Sequence, residues 1–467
     1  MLPKARYSMD KSIFVSPVPP AGLTDESGLC GHAEGLARPA TAAEAAAAVK
    51  EAARLGKALT VQGARTGLCG GALPNGGLLL DTGCLTGLTG FYFDENTGAG
   101  WVEALAGTTL ESLQLALDTK TLPNTLPAES EAMWQAYQNS RCRLRLPADP
   151  SEPTATLGGL VATAAGGARG TMEDCLLAAE TVLPGGGMAL FALPGHMDAF
   201  AAGQNIPPAR LAGEPALLPG SEGKAGAITR VRLRLQQAPA AECGLLAFFD
   251  TPGAALACHT LMQTADERGQ TQGARLFAPG CFAFLAANRG LVPGFAALPE
   301  FSGPPAWGLW LEAALPDDDA LMNWLGFALD ALEKTGGNPD SALAAAERRD
   351  FLRLQAFGHA LTEACNQLCR GGMPFLWDIT PPAGQLAPTL EMLAALPGSE
   401  AYPAMLTALP GQNLAQLRLL PAGEARPGPE GPQAAAWMKQ LRAAGCRCAP
   451  RHGIGRVKRP LLLALGE

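Results

Sequence analysis

Short apolar runs alternate with amphipathic and alanine-rich stretches along the chain, and this alternation is typical of an α+β fold. The capping box Thr41-Ala42-Ala43-Glu44 predicts a helix that ends at Gly56. Strands are predicted where a short apolar run is bounded by turn-forming residues, at 58–61, 78–80, 100–104, 179–183 and 228–235. In the last run, apolar residues alternate with Arg230, Arg232 and Arg234, which predicts one buried face and one face in water.

The second half of the chain repeats a strand–helix order after a predicted linker at 236–240. Two predicted strands are each followed by a predicted helix, at 245–249 with 252–267 and at 307–313 with 319–333. One long helix is predicted at 341–369, and the stretch 421–432, rich in proline and glycine, is predicted to be a loop. A chain of 467 residues is too long for one hydrophobic core, so we expect two or three domains.

The composition argues against a nucleic-acid or membrane-spanning role. The hydrophobic fraction of 48% allows a large core, and the net charge of −8 at pH 7 does not suit the basic surface that nucleic acids require. No apolar run approaches the roughly 18 residues of a membrane span, so we predict a cytoplasmic protein with no transmembrane segment. The twelve cysteines include no C-x-x-C pair, which gives no sign of an iron–sulfur or zinc site.

The first candidate for a binding site is the glycine-rich stretch 61–71, Val-Gln-Gly-Ala-Arg-Thr-Gly-Leu-Cys-Gly-Gly, between two predicted strands. Glycines let main-chain N–H groups converge into a nest that suits a pyrophosphate. The spacing is neither that of a Rossmann motif nor that of a P-loop. Taken alone, the stretch is therefore also compatible with a plain glycine-rich turn. Two further clusters follow in order, at 155–167 after the segment 147–150, and at 220–229.

A fourth motif, Arg451-His452-Gly453-Ile454-Gly455 followed by Lys458-Arg459-Pro460, completes an ordered set over residues 36–460. With it, the chain resembles the FAD-linked oxidases of the vanillyl-alcohol oxidase or PCMH-type flavoprotein family, in the glycolate oxidase and D-lactate dehydrogenase branch. The resemblance implies an α+β fold with a two-part PCMH-type FAD-binding domain, a ferredoxin-like cap domain and a C-terminal segment that returns to the flavin. The expected bounds are 1–35 for an N-terminal arm, 36–238 for the FAD-binding domain, 241–432 for the cap and 433–467 for the returning segment.

The resemblance also implies FAD as the cofactor, held without a covalent bond by the three glycine clusters. The FAD-binding residues that the motifs indicate are Gln62, Gly63, Ala64, Arg65, Thr66, Gly67, Gly70, Gly71, Pro147, Asp149, Thr156, Gly158, Gly159, Ala164, Gly166, Gly167, Glu222, Gly223 and Ile228. In the family a histidine takes the hydroxyl proton of a 2-hydroxy acid, and His452 matches that position. An arginine holds the substrate carboxylate, and Arg353 is the nearest match.

Metal-dependent members of the branch hold a divalent ion with two histidines and a glutamate, but this chain carries Ala408, Ala415 and Arg451 at those positions. Alanine has no donor atom and arginine has the wrong charge, so we expect no metal site of this type. One hypothesis is that Arg451, together with Arg353, replaces the charge of the ion and grips the substrate carboxylate. The alternative is that Arg451 marks a site that has lost its activity.

The resemblance leaves two functions open. The first is an FAD-dependent dehydrogenase of a small D-2-hydroxy acid, such as lactate or glycolate, which passes electrons to a partner protein or carrier. An iron–sulfur subunit is one candidate partner, and it would hold the chain at the periphery of the inner membrane. The second is a flavin-bearing or catalytically degenerate subunit of a larger complex. The stretch 119–145 departs from the family as an insertion, which is either a lid or docking loop or a surface excursion without a role.

Overall fold

The computed structural model describes residues 13–196, 209–213, 215–266, 269–301, 306–368, 375–396, 404–419, 432–448 and 451–464. Its α-helices are α1 (Ala42–Arg54), α2 (Leu110–Thr119), α3 (Ala128–Asn139), α4 (Leu157–Ala162), α5 (Met172–Cys175), α6 (Pro252–Ala265), α7 (Pro279–Ala287), α8 (Pro293–Ala296), α9 (Asp318–Lys334), α10 (Arg348–Gln355), α11 (Phe357–Leu368), α12 (Leu386–Ala394), α13 (Pro432–Ala443) and α14 (Gly455–Ala464). Within the described ranges, none of the helices combines the length and the apolarity that a bilayer span requires.

The strands are β1 (Gly35–Ala37), β2 (Leu59–Gln62), β3 (Leu78–Asp81), β4 (Leu88–Asp94), β5 (Ala99–Leu105), β6 (Leu144–Arg145), β7 (Leu176–Val182), β8 (Met188–Ala192), β9 (Ala209–Gly213), β10 (Ala227–Gln237), β11 (Ala241–Phe249), β12 (Thr271–Phe277), β13 (Trp307–Leu315), β14 (Leu343–Ala345), β15 (Phe375–Thr380), β16 (Ala404–Leu409), β17 (Leu414–Leu419) and β18 (Arg447–Cys448). They form three sheets, and the mixture of helices and sheets confirms the predicted α+β class.

The first sheet is parallel, with the order β1-β3-β2, and it presents the first glycine cluster. Helix α1 covers it with buried alanines, and as predicted Thr41 caps this helix by accepting the N–H of Glu44. Gly56 follows the helix with a φ of +62°, a conformation that glycine adopts without strain. Because β2 and β3 run parallel, the crossover 63–77 starts at the carboxyl edge of the sheet.

The second sheet has the order β4-β5-β10-β7-β8-β9, with β6 also paired to β10. The prediction of a wet face on β10 holds at Arg234, which is exposed, but it is wrong at Arg230 and Arg232, which are only 9% and 1% exposed. Glu103 of β5 accepts hydrogen bonds from both guanidinium groups, and Glu180 of β7 lies 3.6 Å from Arg230. Because β10 lies between other strands, its two buried guanidinium groups are paired with carboxylates of those strands instead of with water.

The insertion 119–145 contains α3 and β6, and it packs on the outside of the second sheet. Trp134 and Tyr137 of α3 are buried, and the Trp134 ring meets the edge of Phe91 with centroids 4.6 Å apart. The hydroxyl of Tyr137 donates to the carbonyl of Leu117 and accepts the N–H of Leu144. None of residues 119–145 lines the cavity described below, so the lid interpretation is wrong. Docking of a partner on this surface stays a prediction.

The third sheet has eight strands in the order β14-β11-β13-β12-β16-β17-β15-β18. Helices α6, α9, α12 and α13 pack on one face, around residues such as Trp324 and Leu390. Helices α7, α8, α10 and α11 pack on the other face, around an aromatic group that includes Phe357. The predicted helices 252–267 and 319–333 correspond to α6 and α9. Helices thus cover both faces of this sheet, which we call the cap, and the predicted ferredoxin-like domain at 241–432 stays a prediction.

The single helix predicted at 341–369 is wrong. That range holds β14, α10 and α11, with a break at Ala356. Strand β14 pairs with β11 at the edge of the third sheet. This pairing requires an extended backbone, so residues 343–345 cannot be part of a continuous helix. The end of the predicted helix at Cys369, and the predicted loop 421–432 apart from its last residue, lie outside the described residues.

The C-terminal part of the chain divides between the cap and the first glycine cluster. Helix α13 packs under the third sheet and β18 pairs with β15, so 432–448 belong with the cap. Helix α14 then crosses to the cluster, where the carbonyl of Cys69 accepts the N–H groups of Arg456 and Val457 at 2.8 and 3.1 Å. The predicted returning segment 433–467 is therefore too long: residues 433–448 pack with the third sheet, and residues 451–457 make the return.

Candidate active site

A cavity of about 760 Å³ lies where the three glycine clusters, the cap and the returning segment meet. Its walls include the loop after β2, the start of α4, the segment around Glu222, one face of α11 and the segment 451–452. A volume of this size is within the range of small-molecule and cofactor sites. The cavity therefore is the candidate site, and it joins elements that are far apart in the sequence.

The loop after β2 presents main-chain donors to this cavity. The N–H groups of Ala64, Thr66 and Gly67 have no hydrogen-bond acceptor among the described residues. Arg65 has a φ of +65°, an uncommon conformation for a residue with a side chain and one that occurs at binding sites. A Cβ added at Gly67 would meet no protein atom within 4 Å, so the space above it is open. Free donors beside open space are what a bound pyrophosphate requires.

The second glycine cluster packs tightly against the first. Thr156 caps α4 by accepting the N–H of Gly159 at 3.3 Å, and its hydroxyl lies where a Cβ of Gly63 would be. A Cβ on Gly158 would come within 2.7 Å of the Cβ of Ala106. These glycines bring the start of α4 next to the loop after β2. The buried Oε1 atom of Gln62, which also lines the cavity, has no partner among the described residues and is a further candidate contact for a ligand.

The third cluster fastens the returning segment to the cavity. Glu222 has a φ of +50°, and its Oε1 atom accepts the N–H groups of Ile454 and Gly455 at 2.7 and 2.9 Å. A side chain at Gly453 would collide with that carboxylate. Glu222, predicted to bind FAD, therefore lines the cavity while its carboxylate is committed to main-chain donors.

Most of the residues that the motifs indicate for FAD do line the cavity, namely Gln62, Gly63, Ala64, Arg65, Thr66, Gly67, Gly71, Thr156, Gly158, Gly159, Gly166, Glu222, Gly223 and Ile228. The others lie behind its wall, namely Gly70, Pro147, Asp149, Ala164 and Gly167. Asp149 accepts the N–H groups of Ala168 and Arg169, and it shapes the turn rather than the surface of the cavity.

His452 lines the cavity and is held by a buried carboxylate. Its Nδ1 atom lies 2.9 and 3.0 Å from the two carboxylate oxygens of Asp378 on β15. Asp378 also accepts from Lys458 of α14 at 2.7 Å and from Gln416 of β17 at 3.2 Å. Since Nδ1 is occupied, Nε2 is the ring nitrogen that remains for a ligand.

The electrostatics of this group favour an unprotonated imidazole. Burial lowers the pKa of His452, and the raising effect of Asp378 does not offset it, since Arg418 and Lys458 add to the lowering. Burial alone would raise the pKa of Asp378, but the interactions with His452 and Lys458 leave that pKa lowered. The carboxylate is therefore ionised and the imidazole neutral, which is the state that a general base needs.

A small inner chamber of about 40 Å³ adjoins the cavity beside His452. Arg275 of β12 and Arg418 of β17 line it together with polar groups such as Thr407 and Gln416. No carboxylate in the described part of the chain lies within 4.0 Å of either guanidinium group. Gly358 of α11 leaves the room that the Arg275 side chain occupies, because a Cβ there would overlap it. Two inward arginines with no carboxylate this close provide positive charge that suits a bound anion.

Arg353, predicted to hold the substrate carboxylate, lies elsewhere. It is on α10, where it donates to the carbonyl of Ala297 and to Asp350 at 3.0 Å, and it lines neither the cavity nor the chamber. The motif indicated the correct group of helices, but this face of α10 turns away from the cavity. Arg275 and Arg418, which line the chamber, were missed by sequence reasoning.

The three positions that carry metal ligands in related enzymes are not brought together. Ala408 and Ala415 pair across the β16–β17 hairpin and face the core under α6 and α12. Side chains alternate along a strand, so their neighbours Leu409 and Gln416 face the cavity instead. Arg451 lines the cavity and donates to the carbonyl of Ala164 at 3.0 Å and to Gln412. Among the described residues, no group of three or more potential ligands could hold a metal ion.

Helix α11 forms the side of the cavity opposite the glycine loops, a role that sequence reasoning missed. The residues that it contributes are His359, Thr362, Glu363, Asn366 and Gln367. The buried Oδ1 atom of Asn366 has no partner among the described residues. The polar residues recur with the helical period, which is the one signal that could have indicated a helix face over a polar ligand.

Comparison with known proteins supports a flavin site. Residues 33–131 match the family described as FAD binding domain. Over 228 residues the chain is 30% identical to a D-lactate dehydrogenase of Anaerostipes hadrus, and the match covers 48% of this chain but only 41% of that protein. The matched family domain contains the loop after β2 and its free N–H donors.

Two solved structures of alkyldihydroxyacetonephosphate synthase, in crystal forms P1 and P212121, share the fold with TM-scores of 0.58 and 0.59. Both are 14% identical in sequence, and the likeness covers 90% and 93% of this chain and 73% and 74% of theirs. The chain therefore contains a stretch that matches an FAD-binding domain, it has the fold of these solved structures, and the match supports FAD as its cofactor.

Proposed function

We propose that this flavoprotein is an FAD-dependent dehydrogenase of a small D-2-hydroxy acid, of the lactate or glycolate type. The observation that carries the proposal is the position of His452, which is fixed by Asp378 and lies beside a chamber with two inward arginines. A 2-hydroxy acid needs a base for its hydroxyl proton and a cation for its carboxylate, and the two are adjacent here. The relationship to a D-lactate dehydrogenase adds support, although it covers less than half of either chain.

The chamber is suited to the carboxylate of the substrate. Arg275 and Arg418 can each donate two parallel hydrogen bonds to a carboxylate, which fixes both its place and its plane. With the carboxylate held in this chamber, the adjacent hydroxyl group is directed towards His452, since His452 lines both the chamber and the cavity. Arg451, which also lines the cavity, adds positive charge on the other side of His452.

His452 is suited to take the hydroxyl proton on Nε2. Asp378 holds the Nδ1 proton, so the tautomer with a free lone pair on Nε2 is favoured. When the hydroxyl proton arrives, the buried carboxylate stabilises the imidazolium that forms. FAD, when bound in the cavity, supplies the acceptor for the hydride that leaves carbon 2 of the acid. The α11 face covers this region from the cap side and limits the access of water.

The electron acceptor in this proposal is a partner protein or a diffusible carrier. The sequence has no C-x-x-C pair from which the chain could build a cluster of its own. An iron–sulfur subunit is one acceptor that suits this function. The surface beside the cavity and the outer face of 119–145 are the expected docking areas.

Anaerobic reduction of the bound flavin tests the function directly. The visible flavin absorbance of the parent protein is followed after mixing with the D- and L-forms of lactate and with glycolate. Bleaching by at least one acid, and loss of bleaching in His452→Asn, are the expected results. His32→Asn is the matched control, because His32 lies outside the cavity and the chamber.

Two results would count against the proposal. If no 2-hydroxy acid bleaches the flavin in a protein that holds full FAD, the alternative of a degenerate or electron-carrying subunit is favoured. If His452→Asn bleaches as fast as the parent, the assignment of the base is wrong. The carboxylate site is tested separately, since Arg418→Gln is expected to raise KM by tenfold or more, the equivalent of roughly 1.4 kcal/mol.

A further inference from the structure

Lys458 belongs to the Lys-Arg-Pro motif near the C-terminus, and the proposed reaction gives it no role so far. It lies on α14 with its side chain 1% exposed, whereas the neighbouring Arg459 is on the solvent side of the same helix. A lysine is rarely buried to this degree unless its charge is paired. The motif thus places one basic residue inside the protein and one outside.

The partner of Lys458 is Asp378, the residue that also holds the proposed base. The Nζ atom of Lys458 donates to Oδ2 of Asp378 at 2.7 Å, and His452 lies 2.9 and 3.0 Å from the two oxygens. The amide of Gln416 donates to Oδ1 at 3.2 Å. The carboxylate is therefore shared between an imidazole and an ammonium group, with no exposure to water of its own.

The ammonium group changes what the carboxylate does to the histidine. A buried carboxylate in contact with an imidazole favours the imidazolium form, because the opposite charge is close and unscreened. A second cation on the same carboxylate cancels most of that effect and leaves the hydrogen bond that orients the ring. Asp378 can then fix the tautomer of His452 through the hydrogen bond at Nδ1, while Nε2 stays unprotonated until the substrate binds.

Besides Lys458, two other cations lie near His452. Arg418 of β17 adds to the lowering of the pKa of His452, and Arg451 precedes it in the chain. Burial would lower the pKa of Lys458, but Asp378, Cys69 and Cys448 act against this and the pKa is raised. Lys458 is therefore charged at any working pH.

We propose that Lys458 is a positioning residue, which keeps His452 unprotonated at neutral pH by neutralising Asp378. The proposal rests on the proposed function, because His452 matters in this way only if it accepts a proton. It concerns the hydrogen-bonded chain His452–Asp378–Lys458 and requires no contact between Lys458 and the substrate. Without the lysine charge, the base would be partly protonated before the substrate binds.

The protonation midpoint of His452 can be measured in the FAD-containing protein by NMR with labelled histidine. The chain has five histidines, and the signal of His452 is assigned by its loss in His452→Asn. Lys458→Gln keeps a hydrogen-bond donor and removes the charge, and we expect it to raise the midpoint by about one pH unit. Lys458→Arg keeps the charge and is expected to leave the midpoint within about 0.3 unit of the parent.

The matched control is Arg459→Gln, which removes the same charge one residue further on, at the solvent side of α14. An equal change in Arg459→Gln and Lys458→Gln would overturn the proposal, and so would an unchanged midpoint in Lys458→Gln. If Lys458→Gln does not fold, the substitution is made in an Asp378→Asn background, where it leaves no buried carboxylate without a partner. Because the charges of Asp378 and Lys458 cancel at His452 in the proposal, the midpoint of this double variant is expected to stay within about 0.5 unit of the parent, and a fall of about one unit or more would overturn it.

This measurement does not depend on turnover, so it separates the two proposals. If the midpoint responds to Lys458 but no 2-hydroxy acid bleaches the flavin, the proposed function fails and the electrostatic role stands. If the flavin is bleached and the midpoint does not respond, the role of Lys458 fails and the function stands. Where both hold, the acid limb of the pH profile of flavin reduction is expected to move upward in Lys458→Gln by the same amount as the midpoint.

Discussion

Replacement of Glu222 by alanine is the change that tests how the returning segment is held at the cavity. The Oε1 atom of Glu222 accepts the N–H groups of Ile454 and Gly455, next to His452 in the chain. The side chain is 7% exposed, so solvent screens these bonds little. In Glu222→Ala the two N–H groups lose their acceptor while the backbone around them stays in place.

The magnitude follows from the two bonds. A hydrogen bond to a charged group contributes about 1.5–3 kcal/mol, and water from the cavity can partly replace it. Two bonds at the lower end of this range give about 3 kcal/mol for the docking of the segment, which corresponds to a roughly 100-fold larger undocked population. Glu222→Gln retains an oxygen acceptor and is expected to lose about 1 kcal/mol.

Hydrogen exchange measured by mass spectrometry on the peptide 451–458 reports this population. We expect exchange to be roughly 100-fold faster in Glu222→Ala and intermediate in Glu222→Gln. Lys224→Ala is the matched control, since Lys224 is 60% exposed and its 3.7 Å ion pair with Glu222 contributes at most about 1 kcal/mol. Exchange in Glu222→Ala within twofold of the parent would refute the argument that these bonds hold the segment.

The remaining predictions concern the cofactor, the base and the metal. Gly67→Val is expected to fold, because a Cβ there meets no protein atom, and to lose FAD, because the side chain fills the open space in the cavity. Gly187→Val is the control, since that position is equally open but on the surface, and it should keep FAD. Equal flavin contents in the two variants would contradict this. The rate of flavin reduction should decline as the pH falls, with a midpoint below 6.5, the ordinary value for histidine, because burial lowers the pKa of His452 and protonation removes the base. A stopped-flow midpoint above 6.5 would contradict the assignment. A strong chelator should leave that rate unchanged, and inhibition by the chelator would show a metal role. Arg451→Ala should slow it about tenfold, because the bonds from Arg451 to Ala164 and Gln412, which hold the segment beside His452, are lost and one such charged hydrogen bond contributes about 1.5 kcal/mol.

The parts of the fold that depend on local signals could be predicted from the sequence. The cap at Thr41 and the glycine at 56 bound α1 as expected, because capping and positive φ are properties of a few neighbouring residues. The glycine clusters and His452 were found by motif, and the structure brings them to one cavity. The break of the predicted helix 341–369 could not be found this way, since it depends on the pairing of β14 with a strand about a hundred residues earlier.

The errors at the site have a common physical cause. A period of two tells which residues share a face of a strand, but not whether that face meets water, a carboxylate or a ligand. Arg230 and Arg232 were assigned to water and meet Glu103, while Arg275 and Arg418 were overlooked and line the chamber. In each case the answer depends on strands that are brought together by sheet order.

His452, the proposed base, is held at the flavin cavity by main-chain contacts of the residues that follow it in the chain. The carbonyl of Cys69 accepts two N–H groups from the first turn of α14, and a Cβ at Gly455 would overlap that carbonyl. These contacts fix the returning segment against the loop that follows β2. Because the donors are main-chain N–H groups, here and in the bonds to Glu222, Arg451 can occupy the position of a glutamate in related enzymes without displacing His452.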